Sequence, residues 1–354
     1  MSKRIYFIFI LVLLNILFVA CCKQNDKIVL IKETQELYLK LPYMLSIKND
    51  SSIVILDRGK LINLNINSGK ISVIDKSEIT SAAYSVLIKS FPTIQFTDLQ
   101  TFSKYGIENN GVRIMCIDKN SDNMLVNLLM ETNINNKSSL SSKFLLKSTT
   151  GYKAFYSDTT KTSEKMGFLT GNYEIYFSDS IVLIPNVPHF LKDSVPPQIP
   201  TLMLFETDNN QNLIFTQYID FPYLADYNSL SSNETSNELY ILYSSTFSNF
   251  NNKIYVSQGN EIYKLNNKFY SQKIISTKDR IVSFKLDNKK VITIEKSKDK
   301  IYSIHKYDLK TKKEIKNNIN LPQEKEIYAT TFLNDKMYVV YLRDDNFYLL
   351  IKNL

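Results

Sequence analysis

The sequence predicts an all-β chain arranged as a β-propeller, six-bladed with seven blades as the alternative, and three observations predict it. Apolar residues recur with a period of two along most of the chain after residue 27, the periodicity of half-buried strands. The alternating runs are punctuated by Asn, Asp and Gly, as in SIVILDRGKLINLNINSGKISVID over 52–75, where Asp-Arg-Gly and Asn-Ser-Gly separate three short strands. The same device returns at 251–275, 287–315 and 334–354, so that Ile254, Val291 and Met337 follow one another at 37 and 46 residues. That spacing brackets the roughly 40–50 residues of a four-stranded blade, and radial repetition of such blades is a propeller.

The expected elements follow in order. Strands beginning near residues 43, 53, 60 and 70 make one blade, those near 238, 253, 261 and 269 another, and those near 280, 290, 301 and 313 a third. The less regular stretch from about 80 to 220 fits two larger blades. One uses GVRIMCID and NMLVNLLME, the other YEIYFSD, SIVLIPN, TLMLFET and NLIFTQYI. The last set, EIYATTF, KMYVVYL and NFYLLIKN, has three strands, and IVLIKETQELYLKLP over 28–42 precedes the first blade without one of its own. This segment is therefore expected to supply the missing outer strand and remove an open sheet edge. SEITSAAYSVLIKS over 77–90 is a candidate helix with Ser77 as its N-cap, a strand being the alternative.

Ahead of the strands, Lys3 and Arg4 precede an apolar run from Ile5 to Ala20 interrupted by Asn15, the form of a secretory signal. It is shorter than the roughly 20 residues that cross a bilayer as a helix. Phe18-Val19-Ala20-Cys21 resembles a bacterial lipobox, which implies cleavage after Ala20 and lipidation of Cys21, with Cys22 a bystander. The expected organisation is a signal peptide over 1–20, a lipidated tether over 21–27 and a propeller domain over 28–354. The pattern MLSIKNDSSIVILDRGKLINLNINSGK over 44–70 resembles the opening blade of six-bladed propeller lipoproteins of the Bacteroidota. That resemblance implies a cell-envelope protein, lipid-anchored to a bacterial membrane, the outer membrane, and carries over no catalytic residue.

Composition narrows the function classes. Without residues 1–20 the formal charge falls from +8 to +6, and the lysines sit in short polar stretches such as KSKDK (296–300) and KTKKE (310–314), which read as solvated turns. A nucleic-acid surface would need clustered cations beside a recognisable module. Cys116 has no cysteine partner in the body of the chain and reads as a small core residue. DKNSDN over 118–123 spaces oxygen ligands like a calcium loop, but position twelve of that loop would be Leu129, so a hairpin turn is expected and no metal. Two histidines, His189 and His305, are too few for a zinc centre and are not accompanied by a nucleophile motif. His305 is expected at a strand surface. With 8 Gly and no phosphate-cradling loop, no cofactor is expected.

What remains is a binding or scaffolding module for a protein or glycan partner, with an envelope hydrolase or lyase at the central channel as the alternative. In a blade whose strands run A to D outward, B-to-C and D-to-A links leave on one face. The long links expected near 76–93, 148–172, 185–200 and 218–237 all belong to these classes. They carry Phe91, Tyr152, Phe155, Tyr156, His189, Phe190, Phe221, Tyr223 and Tyr227, groups that suit a contact surface. His189, Phe190, Phe221, Tyr223 and Tyr227 are the candidate partner-binding residues. The competing expectation is that these aromatics fold over the channel as core.

Overall fold

The computed structural model describes residues 26–32, 42–57, 60–75, 78–79, 81, 85, 112–118, 123–134, 137–148, 151–154, 174–178, 180–186, 201–207, 213–221, 245–287, 289–299, 301–321, 326–333 and 335–354. Their strands form six four-stranded antiparallel sheets. Blade 1 holds β2 (Pro42–Asn49), β3 (Ser52–Asp57), β4 (Lys60–Asn65) and β5 (Ile71–Val73). Blade 2 holds β6 (Val112–Ile117), β7 (Met124–Ile134), β8 (Lys137–Ser148) and β9 (Gly151–Ala154). Blade 3 holds β10 (Tyr176–Phe177), β11 (Ile181–Asn186), β12 (Thr201–Thr207) and β13 (Leu213–Asp220). Blade 4 holds β14 (Ser245–Phe250), β15 (Lys253–Gln258), β16 (Glu261–Leu265) and β17 (Ser271–Ser276). Blade 5 holds β18 (Arg280–Asp287), β19 (Lys290–Lys296), β20 (Tyr302–Asp308) and β21 (Glu314–Asn320). Blade 6 holds β22 (Glu326–Leu333), β23 (Lys336–Arg343), β24 (Asn346–Asn353) and, as its outer strand, β1 (Lys27–Leu30).

The all-β, six-bladed expectation therefore holds, and so does the manner of closure. β1 pairs antiparallel with β24 from Lys27↔Ile351 to Leu30↔Tyr348, so the first strand of the domain completes the last blade. Val29 and Ile31, 8 % and 2 % exposed, enter a core made by blade 6 residues such as Tyr338, Val340 and Leu349 and blade 1 residues such as Leu45, Ile53 and Ile62. The Lys32 amide then donates to the Gly69 carbonyl at 2.8 Å, locking the segment onto blade 1.

Each blade alternates apolar residues to two faces because its neighbours cover both. In β19, Ile292 and Ile294 face the core shared with blade 6, whereas Val291 belongs to the core shared with blade 4. A third interblade core joins Leu183, Leu202 and Leu204 of blade 3 to Val256 and Tyr263 of blade 4. Cys116 is buried between blades 2 and 3, its thiol 3.3 Å from the Ile175 carbonyl, as expected of a core cysteine. The tight turns are made by the residues that tolerate positive φ. Asn251 and Asn252 (50° and 57°) close β14–β15, and Asp344 and Asp345 (48° and 59°) close β23–β24. DKNSDN is a hairpin connection, with the Asp118 amide donating to the Asn123 carbonyl between β6 and β7.

Four expectations are qualified. The first described strand of blade 4 is Ser245–Phe250, with the expected start near 238 outside the described residues, and the closing strand, Lys27–Leu30, begins one residue ahead of the expected 28–42 segment, of which 33–41 lie outside the described residues. Tyr152 lies in β9 rather than in a link. In the candidate helix, Glu78, Ile79, Ser81 and Ser85 have helical backbone, while Ser77 lies outside the described residues.

Candidate functional site

The strand order decides which connections share a face. Every blade has an even number of strands, so each D strand ends on the face where the next A strand begins, and B-to-C links return to that same face. The links 74–111, 155–175 and 221–244 are D-to-A, and 187–200 is B-to-C. The β7–β8 hairpin, whose strands outrun those of the other blades, also turns on this face. On the opposite face the A-to-B and C-to-D connections are short, the longest being 118–123. The ring is thus two-sided, with one long-link face and one short-turn face.

Of the candidate partner-binding residues, Phe221 is corrected. It is 2 % exposed and packs on Tyr263 with ring centroids 4.9 Å apart, inside the core between blades 3 and 4. Its place directly after β13 turns the ring inward at the rim. His189, Phe190, Tyr223 and Tyr227 lie outside the described residues, as does Cys21.

A second constellation, not foreseen from the sequence, lies between blades 4 and 5. Ser303, His305 and Tyr307 alternate along β20 and so share its blade 4 side. Ser303 Oγ is 2.6 Å from His305 Nε2, and His305 Nδ1 is 2.7 Å from Glu314 Oε1 on the neighbouring β21. A carboxylate can only accept, so Nδ1 carries a proton toward Glu314, while Nε2 and the serine hydroxyl share the second hydrogen bond. The His305 side chain is only 12 % exposed, which corrects its expected position at the strand surface. A register shift between Ile304 and Lys306 in the β20–β21 pairing flanks it.

The same side of β19 carries Thr293 and Glu295, both fully buried. The hydroxyls of Thr293 and Tyr307 donate to Glu295 Oε1 at 2.6 and 2.7 Å. Burial pushes the Glu295 carboxyl up, against the opposing pull of those two hydroxyls, His305 and the Asp279 backbone. Burial, then the neighbouring Glu295 carboxylate, pushes the Tyr307 phenol up as well. Glu295 Oε2 is buried without a hydrogen-bond partner. A contrasting carboxyl sits in blade 4, where burial would raise Glu261 but Lys273, Tyr263 and Ser276 together hold it below its ordinary value.

Chemically, Ser303, His305 and Glu314 form an acid–base relay of the kind that activates a hydroxyl. Its surroundings limit what it can do. Ser303 is paired on both sides, with Glu295 of β19 and Asn320 of β21, so its amide belongs to the ladder rather than to an oxyanion hole. The relay also occupies the third and fourth strands, whereas the central channel is bordered by first strands. The spacing Ser-x-His-x-Tyr was visible in IYSIHKYD. That Glu314 stands opposite it depends on strand register. No grouping of His, Cys, Asp and Glu suited to a metal lies among the described residues.

No family model matches the chain, and no curated protein matches it. Among solved structures it is similar to a luciferin-regenerating enzyme, at 9 % identity and a TM-score of 0.45 over 93 % of this chain and 98 % of that one. It is also similar to Sqt1 of Saccharomyces cerevisiae, at 10 % identity and a TM-score of 0.37 over 86 % of this chain and 81 % of the other. A third is the CNH domain of AfRom2, at 10 % identity and a TM-score of 0.32 over 87 % and 78 %. These likenesses carry no activity to this chain.

Proposed function

We propose that this protein is a cell-envelope lipoprotein, anchored through Cys21 to a bacterial outer membrane, whose propeller serves as a binding or scaffolding module for a protein or glycan partner. The observation that carries the reading is the two-sidedness of the ring. Four long links leave on one face, while the strand that follows the tether, β1, enters from the other. Repeat architectures gather their insertions on the face that meets partners. Tyr223 and Tyr227 belong to the sequence of the link that joins β13 to β14, whose two ends leave that face. Replacing both by alanine is expected to abolish recovery of the partner from the protein's own membrane without moving the melting temperature. Lowered melting with recovery intact would return these tyrosines to the core, beside Phe221.

The Ser303–His305–Glu314 relay favours a second reading, an envelope hydrolase. Against it stand the ladder-bound serine and the distance in strand order from the channel. Incubating the full-length protein with a fluorophosphonate is expected to leave Ser303 unmodified. Labelling that disappears in Ser303→Ala would replace the binding reading with an enzymatic one.

A further inference from the structure

The two faces differ in charge as well as in loop length. On the short-turn face, blade 4 presents Lys253 and Lys268, both exposed, at the turns that follow β14 and β16. Blade 5 presents Lys289 and Lys290 at one turn and Lys310, Lys312 and Lys313 at the next, again all exposed. Lys336 of blade 6 and Lys70 of blade 1 continue the arc. Several acids on this face are already engaged. Asp308 accepts from the Lys310 and Thr311 amides at 3.0 and 2.7 Å, Glu314 is held by His305, and Asp26 pairs with Lys352. Asp50 and Asp335 are exposed there. Near the inner edge, burial and, after it, the neighbouring Lys147 push the Lys48 ammonium below its ordinary value. Across the same blades the long-link face alternates in sign, with Lys278 beside Asp279, Lys298 beside Asp299, and Arg343 paired to Asp344 at 3.3 Å.

The tether adds the second constraint. β1 starts on the short-turn face at Lys27, and residues 22–25 alone separate Cys21 from Asp26, where the described chain begins. At no more than about 3.6 Å per residue, the tether reaches under about 20 Å. An anchored ring cannot turn freely at that distance, and the face nearest the anchor is the basic one.

We propose that the short-turn face of blades 4 to 6 and blade 1 rests on an anionic bilayer surface, with its lysines against lipid phosphates and the long-link face turned away from the membrane. The orientation rests on Cys21 being the lipid anchor. The chemistry rests on the lysine arc alone. A basic surface beside a lipid anchor supplies a second membrane signal, and it acts only within about a Debye length, roughly 8 Å at physiological salt.

Lysine footprinting by acetylation and mass spectrometry tests this on the full chain, in detergent and then in vesicles of phosphatidylethanolamine with or without phosphatidylglycerol. The N-terminal peptide in the same spectra reports whether Cys21 carries lipid. In phosphatidylglycerol vesicles, Lys289, Lys290, Lys310, Lys312 and Lys313 are expected to label roughly fivefold more slowly or less, with Lys278 and Lys298 unchanged. The protection should vanish in about 1 M salt and in a Lys310→Glu, Lys312→Glu, Lys313→Glu variant. Equal labelling of the two faces, or protection of Lys278 and Lys298 instead, overturns the proposal. So does protection by single-stranded RNA without protection by the vesicles. If Cys21 proves unmodified, the anchor reading fails separately. The unlipidated chain mixed with the same vesicles then decides the basic face by the same lysines.

Discussion

Removing residues 27–31 should leave a ring that does not hold together at room temperature. The segment contributes four ladder pairs to β24 and the side chains of Val29 and Ile31, which fill the seam between blades 6 and 1. Burying two such aliphatic side chains is worth about 1.5–3 kcal/mol each, and the loss also exposes β24 as an open edge. Against a total stability of about 5–15 kcal/mol, that is enough to unfold the domain or leave it prone to pair with itself. A single substitution examines the same clasp from the other side. Gly69 has φ of 71°, and a Cβ there would lie 2.1 Å from the Leu30 carbonyl oxygen. Gly69→Ala should therefore cost about 2–4 kcal/mol, combining left-handed backbone strain with displacement of β1. Thermal and denaturant melts measure both. A truncated chain that melts like the intact one would mean that the seam closes without β1.

At Glu295 the expected result is a stability difference that depends on pH. The carboxyl is fully buried and its pKa is raised above the ordinary 4.5 by burial. The folded chain therefore holds this proton more tightly than the unfolded one. The stability that follows is complete below about pH 4.5 and is lost as pH rises through the folded value. Glu295→Gln, which keeps the shape and stays uncharged, should match the wild type at about pH 4 and exceed it increasingly above pH 5. Glu295→Ala should instead be destabilised by about 2–4 kcal/mol at acidic pH, because the Thr293 and Tyr307 hydroxyls lose their acceptor in the interior. Glu261, held low by Lys273, has the opposite sign and loses its contribution as pH falls. Parallel melting curves for wild type and Glu295→Gln from about pH 4 to pH 8 would show that Glu295 does not titrate in this range.

Much of the fold is legible in the sequence because strands, turns and the blade period are local. Ile53, Ile55, Leu61 and Leu64 alternate or cluster where the strands of blade 1 lie, and the Asn-Asn and Asp-Asp turns stand where positive φ is required. Ring closure could be anticipated by counting, since a three-stranded last blade and an orphan first strand complete each other. The site was less legible. Ser303 and His305 alternate in plain view, but Glu314 meets them only through the β20–β21 register, and Glu295 and Thr293 come from a third strand. Phe221, an aromatic beside a long link, reads as a contact residue until its burial against Tyr263 shows it to be core.

By itself, then, the sequence determined the alternation, the turn chemistry and the repeat, each set by residues within one blade. Strand order also set which links share a face, but only the tertiary structure decided which side chains meet across strands. Glu314 reaches His305, and Tyr307 reaches Glu295, through the pairings of β19, β20 and β21. Those meetings depend on register between separate segments, and no local pattern of residues records register.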